Sequence, residues 1–134
     1  MTASDRDRVR ENLLIEGLMD AISLGSVHTA FMYDNHSPKR PLEEAQALTL
    51  AMIRELVSEG LFIWGVPTRK GGFDAWDLPL DVSMAKIEDA YVTNFDDRWS
   101  WTTIAWMDQT EKGKELALAL YQSEDYGHSD DQTP

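Results

Sequence analysis

Ile15, Leu18, Met19 and Ile22 recur at helical spacing and define one buried face. Ser4, with Asp7 three residues on, resembles a helix N-cap and its acidic partner. Gly25 is placed to end the helix, so the pattern predicts a helix from about Asp5 to Leu24. The next stretch, SVHTAFMYDNHSPKRP, fits two periods. Val27, Thr29, Phe31 and Tyr33 alternate as a strand does, but the same residues suit a short second helix. Asn35 to Pro41 reads as a connector, because Pro38 and Pro41 disfavour continuous helix.

A further helix follows, with Pro41 at its start, Glu43 and Glu44 in its first turn and Gly60 past its end. Ala45, Leu48, Met52 and Leu56 form its buried stripe, flanked by Thr49, Ile53 and Val57. Its outward residues include Gln46, Arg54, Glu55 and Glu59. LFIWGVP predicts a strand closed by Pro67, and TRKGG a turn. FDAWDLP is either a returning strand or an irregular crossing. Asp81 or Ser83 opens another helix, with Met84, Ile87 and Tyr91 on its inner side. WSWTTIAWM predicts a second strand, and Thr110 caps a last helix whose Leu116, Leu120 and Tyr121 can pack inward.

Two of these segments carry a family resemblance. LTLAMIRELVSEGLFIWGV is similar to the third helix and first wing strand of winged-helix proteins of the MarR and PadR kind. DQTEKGKELALAL resembles the exit from the second wing strand of that family, with Thr110, Gly113 and Ala117 in its motif places. Thr110 supplies a cap oxygen, Gly113 lets the first helical turn pass close to neighbouring backbone, and Ala117 allows tight packing. The resemblance covers roughly residues 42 to 121. It implies an α+β fold that is mostly helical with a small antiparallel sheet. It departs from the family at the wing, where a helix-bearing insert of about residues 67–101 replaces a short loop. A single domain over residues 1–122 is expected, followed by an acidic tail over 123–134 that has almost nothing to bury and is expected to be disordered.

Charge changes the functional expectation. The chain holds 24 acids against 12 bases, a formal charge of −12. Affinity for DNA rests largely on lysine and arginine displacing counterions, so an acidic domain suits a basic protein partner better. Acidity that only aids solubility is the plainer alternative. No apolar run is long enough for a membrane span, and MTASDRDRVREN lacks the apolar core of a secretory signal. With no cysteine present, thiolate metal sites and disulfides are excluded and a cytoplasmic address is expected.

If the resemblance extended to DNA binding, Gln46 and Arg54 would read bases from the third helix. Lys39 and Arg40 before it, with Arg69 and Lys70 at the wing tip, would touch phosphates. Both pairs also read as solvated loop residues. Between Asp74 and Asp97 the insert carries seven acids and one lysine, Lys86, which disfavours a polyanion. His28 and His36 lack metal-site spacing, His128 lies in the tail, and no phosphate-binding or nucleophile motif appears. No metal, cofactor or enzymatic role is expected.

The aromatic residues are the better clue. Of five tryptophans, Trp64, Trp99, Trp101 and Trp106 lie in or beside the two predicted strands. Alternation puts Trp99, Trp101 and Met107 on one face and Ile104 and Trp106 on the other, so both sheet faces are apolar. Either the inserted helix covers the second face, or a partner or second copy does. Trp76, Trp99 and Trp101, rimmed by Asp74, Asp77, Asp96 and Asp97, form the candidate partner surface. The leading expectation is a non-enzymatic acidic binding module, such as an immunity protein or antitoxin. The alternative is a winged-helix transcriptional regulator that binds DNA.

Overall fold

A computed structural model describes residues 4–123, as an α+β domain that is mostly helical with a small antiparallel sheet. The first helix, α1, spans Asp5–Glu16, and the Ser4 hydroxyl accepts from Asp7 N–H as the cap pattern predicts. It does not continue to Leu24. Past Gly17 the chain turns, and the Asp20 carboxylate accepts from the N–H of Ala21 at 2.8 Å. Ile22–Ser23 then pairs as a short strand, β1. Met19, expected on the buried face, is 86% exposed; Val9, Leu13 and Leu14 supply that face instead. Gly17 sits where a Cβ would meet the Phe62 ring at 2.9 Å, so the end of α1 lies directly on the sheet.

Ser23 caps α2, Leu24–Met32, by accepting from Ser26 N–H at 3.2 Å. This settles the ambiguous segment as helix and places Gly25 inside it rather than at a helix end. The short strands β2, Tyr33–Asp34, and β3, Ser37–Pro38, form a tight hairpin. Asn35 and His36 turn it with φ of 53° and 75°. The next helix, α3, runs Leu42–Ser58, and Gly60 follows it at φ 78°, a conformation that favours glycine.

Phe62–Pro67 is β4, and it returns through the TRKGG turn to β5, Phe73–Ala75. The inserted helix α4 is Leu80–Glu88, continued by a π-helical turn over Asp89–Thr93. The predicted strand at 99–107 is only half strand. Arg98–Trp101 is a short helix, α5, and the sheet resumes at β6, Trp106–Gln109. Trp101 explains the change, because its indole N–H donates to Phe95 O at 2.7 Å and its ring is buried, which an extended chain could not arrange. The last helix, α6, is Glu111–Tyr121.

The main sheet has the order β1-β6-β4-β5. Trp64 lies opposite Met107, and Phe62 opposite Gln109, all four facing the core. Ile63 lies opposite Asp108 on the other side and is 41% exposed. The outer face is therefore left partly open. Met84, Ile87 and Tyr91 are buried as expected, but α4 packs against α3. At the other end of the sheet Thr110 accepts from Gly113 N–H at 3.0 Å and donates to Gly60 O at 2.6 Å, while Ala117 is fully buried.

Candidate functional site

The insert meets the rest of the domain through a knot of aromatic rings. Tyr91, on the π-helical turn, shares a hydrogen bond of 2.5 Å with His28 Nδ1 from α2. His28 packs edge-on against Tyr91 and Trp101, with ring centres at 5.4 and 5.1 Å. Phe95 stacks on Trp101 at 4.9 Å. A π turn, with its i→i+5 hydrogen bonds, is rare and occurs mostly as a single turn within or beside an α-helix. Here it coincides with the residue that reaches His28. Burial, with the Arg98 guanidinium nearby, lowers the His28 pKa to about 4, and burial raises the Tyr91 hydroxyl to about 12. Both groups are thus neutral at pH 7. They form a closed packing centre, with both side chains buried.

The same segment roofs α3. Gln46 was expected to face outward. It is 7% exposed, and its side-chain N–H donates to Tyr91 O at 3.2 Å. Arg54 donates to Asp81 of α4 at 2.6 Å. The exposed residues left on α3 are Glu43, Glu44, Ala47, Ala51, Arg54 and Ser58. Arg54, already paired, is the single base among them.

The remaining basic residues are largely engaged within the fold. Arg40 donates to Asp5 at 2.7 Å and to Phe31 O at 2.8 Å, and Lys39 reaches the same carboxylate at 3.2 Å. Burial works to raise the pKa of Asp5, but these hydrogen bonds and charges outweigh it and hold the carboxyl below its ordinary value. Arg6 and Arg10 both grip Glu55, and Arg10 also reaches Glu59 at 2.8 Å. Lys86 sits over the Trp76 ring at 4.4 Å. Arg69 and Lys70 are exposed at the β4–β5 turn.

The residues expected to form an aromatic partner surface divide into three settings. Trp101 is a core residue, 2% exposed, and is withdrawn from any surface. Its place on α5 follows from the helix that replaced the predicted strand. Trp76 is partly covered, packed on Trp64 at 6.4 Å beneath Lys86. Trp99 stands out at 92% exposure, next in sequence to the exposed Asp96, Asp97 and Arg98. Asp74 and Asp77 are exposed at the start of the insert.

Sequence reasoning missed the His28–Tyr91 pair as the centre of the insert's packing. An apolar helical period through Val27 and Phe31 was its available signal, since that period also turns His28 inward. A broad surface hollow of about 1170 Å³ lies along α1 and α2, lined by Asp5, Arg8, Ser26, Thr29 and Lys39 among others. No group of three or more His, Asp or Glu among the described residues could hold a metal ion. Among them, too, no helix is long and apolar enough to cross a membrane. Compared with protein-family models, curated proteins and solved structures, the chain matches none.

Proposed function

We propose that this chain is a winged-helix-like domain put to protein binding: a non-enzymatic acidic module that engages a basic partner, as an immunity protein or antitoxin does. The observation that carries this reading is the roof on α3. In a winged-helix regulator the third helix enters the major groove. Here the corresponding helix is packed beneath α4, its Gln46 is buried against Tyr91, and its Arg54 is paired with Asp81. The winged-helix part is supported by the order of α3, β4, a β5-bearing insert, β6 and α6, and by the antiparallel pairing of β4 with β6.

Electrostatics supports the same choice. Lys39, Arg40, Arg54, Arg6 and Arg10 hold carboxylates of their own chain, so they would have to abandon these to neutralise phosphates. The insert's acids mostly remain exposed, so the field at its surface is negative. Such a field speeds encounter with a cationic protein. A cytoplasmic address goes with this reading, supported by a chain without cysteine.

Gel retention of an arbitrary duplex across a salt series tests the reading. No retention is expected even at low salt. Retention that weakens steeply as salt is added would return the domain to the nucleic-acid regulators. A basic protein isolated with the chain from its native host should also form a complex when both are purified. Asp96→Lys together with Asp97→Lys should weaken that complex, and unchanged affinity would remove this patch from the interface.

A further inference from the structure

We infer that Trp99 is the anchor of the binding surface, and that its partner is a basic protein presenting an apolar seam flanked by lysine or arginine. The inference rests on the reading above and adds the residue and the chemistry it meets. A lone exposed apolar side chain is ordinary. Trp99 differs in being both the most exposed large apolar residue among those described, at 92%, and carried on a helical turn whose neighbouring side chains are hydrogen-bonded.

Its mounting is visible atom by atom. Two residues on, Trp101 is buried, donates to Phe95 O at 2.7 Å and stacks on the Phe95 ring. Ser100 donates to the Asp97 carboxylate at 2.7 Å, and the Thr102 hydroxyl donates to Arg98 O at 2.7 Å. The helix that carries Trp99 is thus fixed from its inner side. The backbone beneath Trp99 is therefore ordered before binding, and tryptophan has few rotatable bonds to immobilise, which favours it as a hot spot.

Charge selects the occupant. Asp96, Asp97 and the exposed Arg98 precede Trp99, a triplet of net charge −1, and the segment from Asp74 to Asp97 carries seven acids and one lysine. That lysine, Lys86, is held over Trp76. A second copy would bring another −12 and be repelled. Residues 124–134 of the chain itself add four acids and no lysine or arginine, so they do not fit either. Anionic lipid and nucleic acid fail for the same reason. A cationic protein surface with apolar side chains at its centre meets both the indole and its acidic border.

The test uses the full chain and a labelled helical peptide built of lysine and leucine at amphipathic spacing, followed by fluorescence anisotropy. Oligolysine of equal charge is the comparison. The wild-type chain should bind the amphipathic peptide more tightly than oligolysine. Trp99→Ala should lower that affinity about tenfold or more while leaving the circular dichroism unchanged. Trp99→Phe should recover part of it. Asp96→Asn with Asp97→Asn should weaken binding and flatten its salt dependence. Met19→Ala, which removes the next most exposed large apolar side chain among the described residues, should change nothing. Equal binding by Trp99→Ala and wild type, or equal binding of the two peptides, overturns the anchor while leaving the acidic-module reading intact. No binding of either peptide overturns both.

Discussion

His28 Nδ1 and the Tyr91 hydroxyl lie 2.5 Å apart, and this one hydrogen bond joins α2 to the insert inside an aromatic shell. No carboxylate contributes to the lowered His28 pKa; its causes are burial and the Arg98 charge. The folded pKa is about 4 against an ordinary 6.5, so the unfolded chain binds the extra proton first. Stability from this residue is therefore complete above pH 6.5 and falls as pH drops toward 4. The full loss is about 3 kcal/mol, because each tenfold difference in proton affinity between the two states is worth about 1.4 kcal/mol. Urea denaturation at steps between pH 7 and pH 4 should show this slope, and His28→Phe should flatten it. An unchanged slope in the variant would assign the acid sensitivity elsewhere. Tyr91→Phe should cost about 1–3 kcal/mol at pH 7, through the buried imidazole nitrogen it leaves unpaired.

Asp5 adds a second acid-sensitive contact. Its pKa is lowered from 3.8, with burial opposing and the hydrogen bonds from Arg40 and Lys39 prevailing. Its contribution is present above that ordinary value and is lost as pH falls through the lower folded one. Asp5→Asn should reduce stability at pH 7 and progressively lose its effect as pH falls below 3.8, as read from paired thermal melts. Comparable destabilisation across that range would mean the residue acts through packing rather than charge.

Gly113 brings the first turn of α6 so close to the α3–β4 junction that a Cβ would stand 2.2 Å from Leu61 O. The opposing atom is backbone and cannot rotate away. Gly113→Ala should therefore destabilise the domain by about 1–3 kcal/mol, although alanine is the better helix former. A denaturation midpoint equal to wild type would show that α6 can shift away from the sheet.

The roof on α3 is held mainly by apolar packing. Ile87 is fully buried, so Ile87→Ala should cost about 2–5 kcal/mol and raise hydrogen exchange across residues 80–93. The Arg54–Asp81 pair is exposed, and Arg54→Ala should cost under about 1 kcal/mol. The reverse order of effects would make the ion pair, not the packing, the fastening of the insert.

The start of α6 was legible in the sequence because its determinants are local, whereas Leu116 and Tyr121, expected to pack inward, are exposed. Thr110 caps three residues ahead, and Gly113 and Ala117 fall at helical spacing on the packed side. The body of α3 was legible for the same reason. Where the reading departed from the fold, local pattern and long-range pairing disagreed. The apolar period of α1 runs on past Gly17, but pairing of Ile22 with Met107 pulls the chain out of the helix. Trp99 and Trp101 alternate like strand residues, yet burial of one indole on Phe95 winds that stretch into a helical turn.

The sequence by itself determined the surplus of carboxylates, the caps, the glycine turns and the mixed helix-and-strand composition, each set by residues near one another in the chain. Only the tertiary structure decided which charges are already paired, that Gln46 points inward, and which of the neighbouring tryptophans is core and which is surface. Those outcomes depend on contacts between residues far apart in sequence, such as Arg6 with Glu55 and His28 with Tyr91. The free energy of burial and pairing exists only once both partners have been brought together.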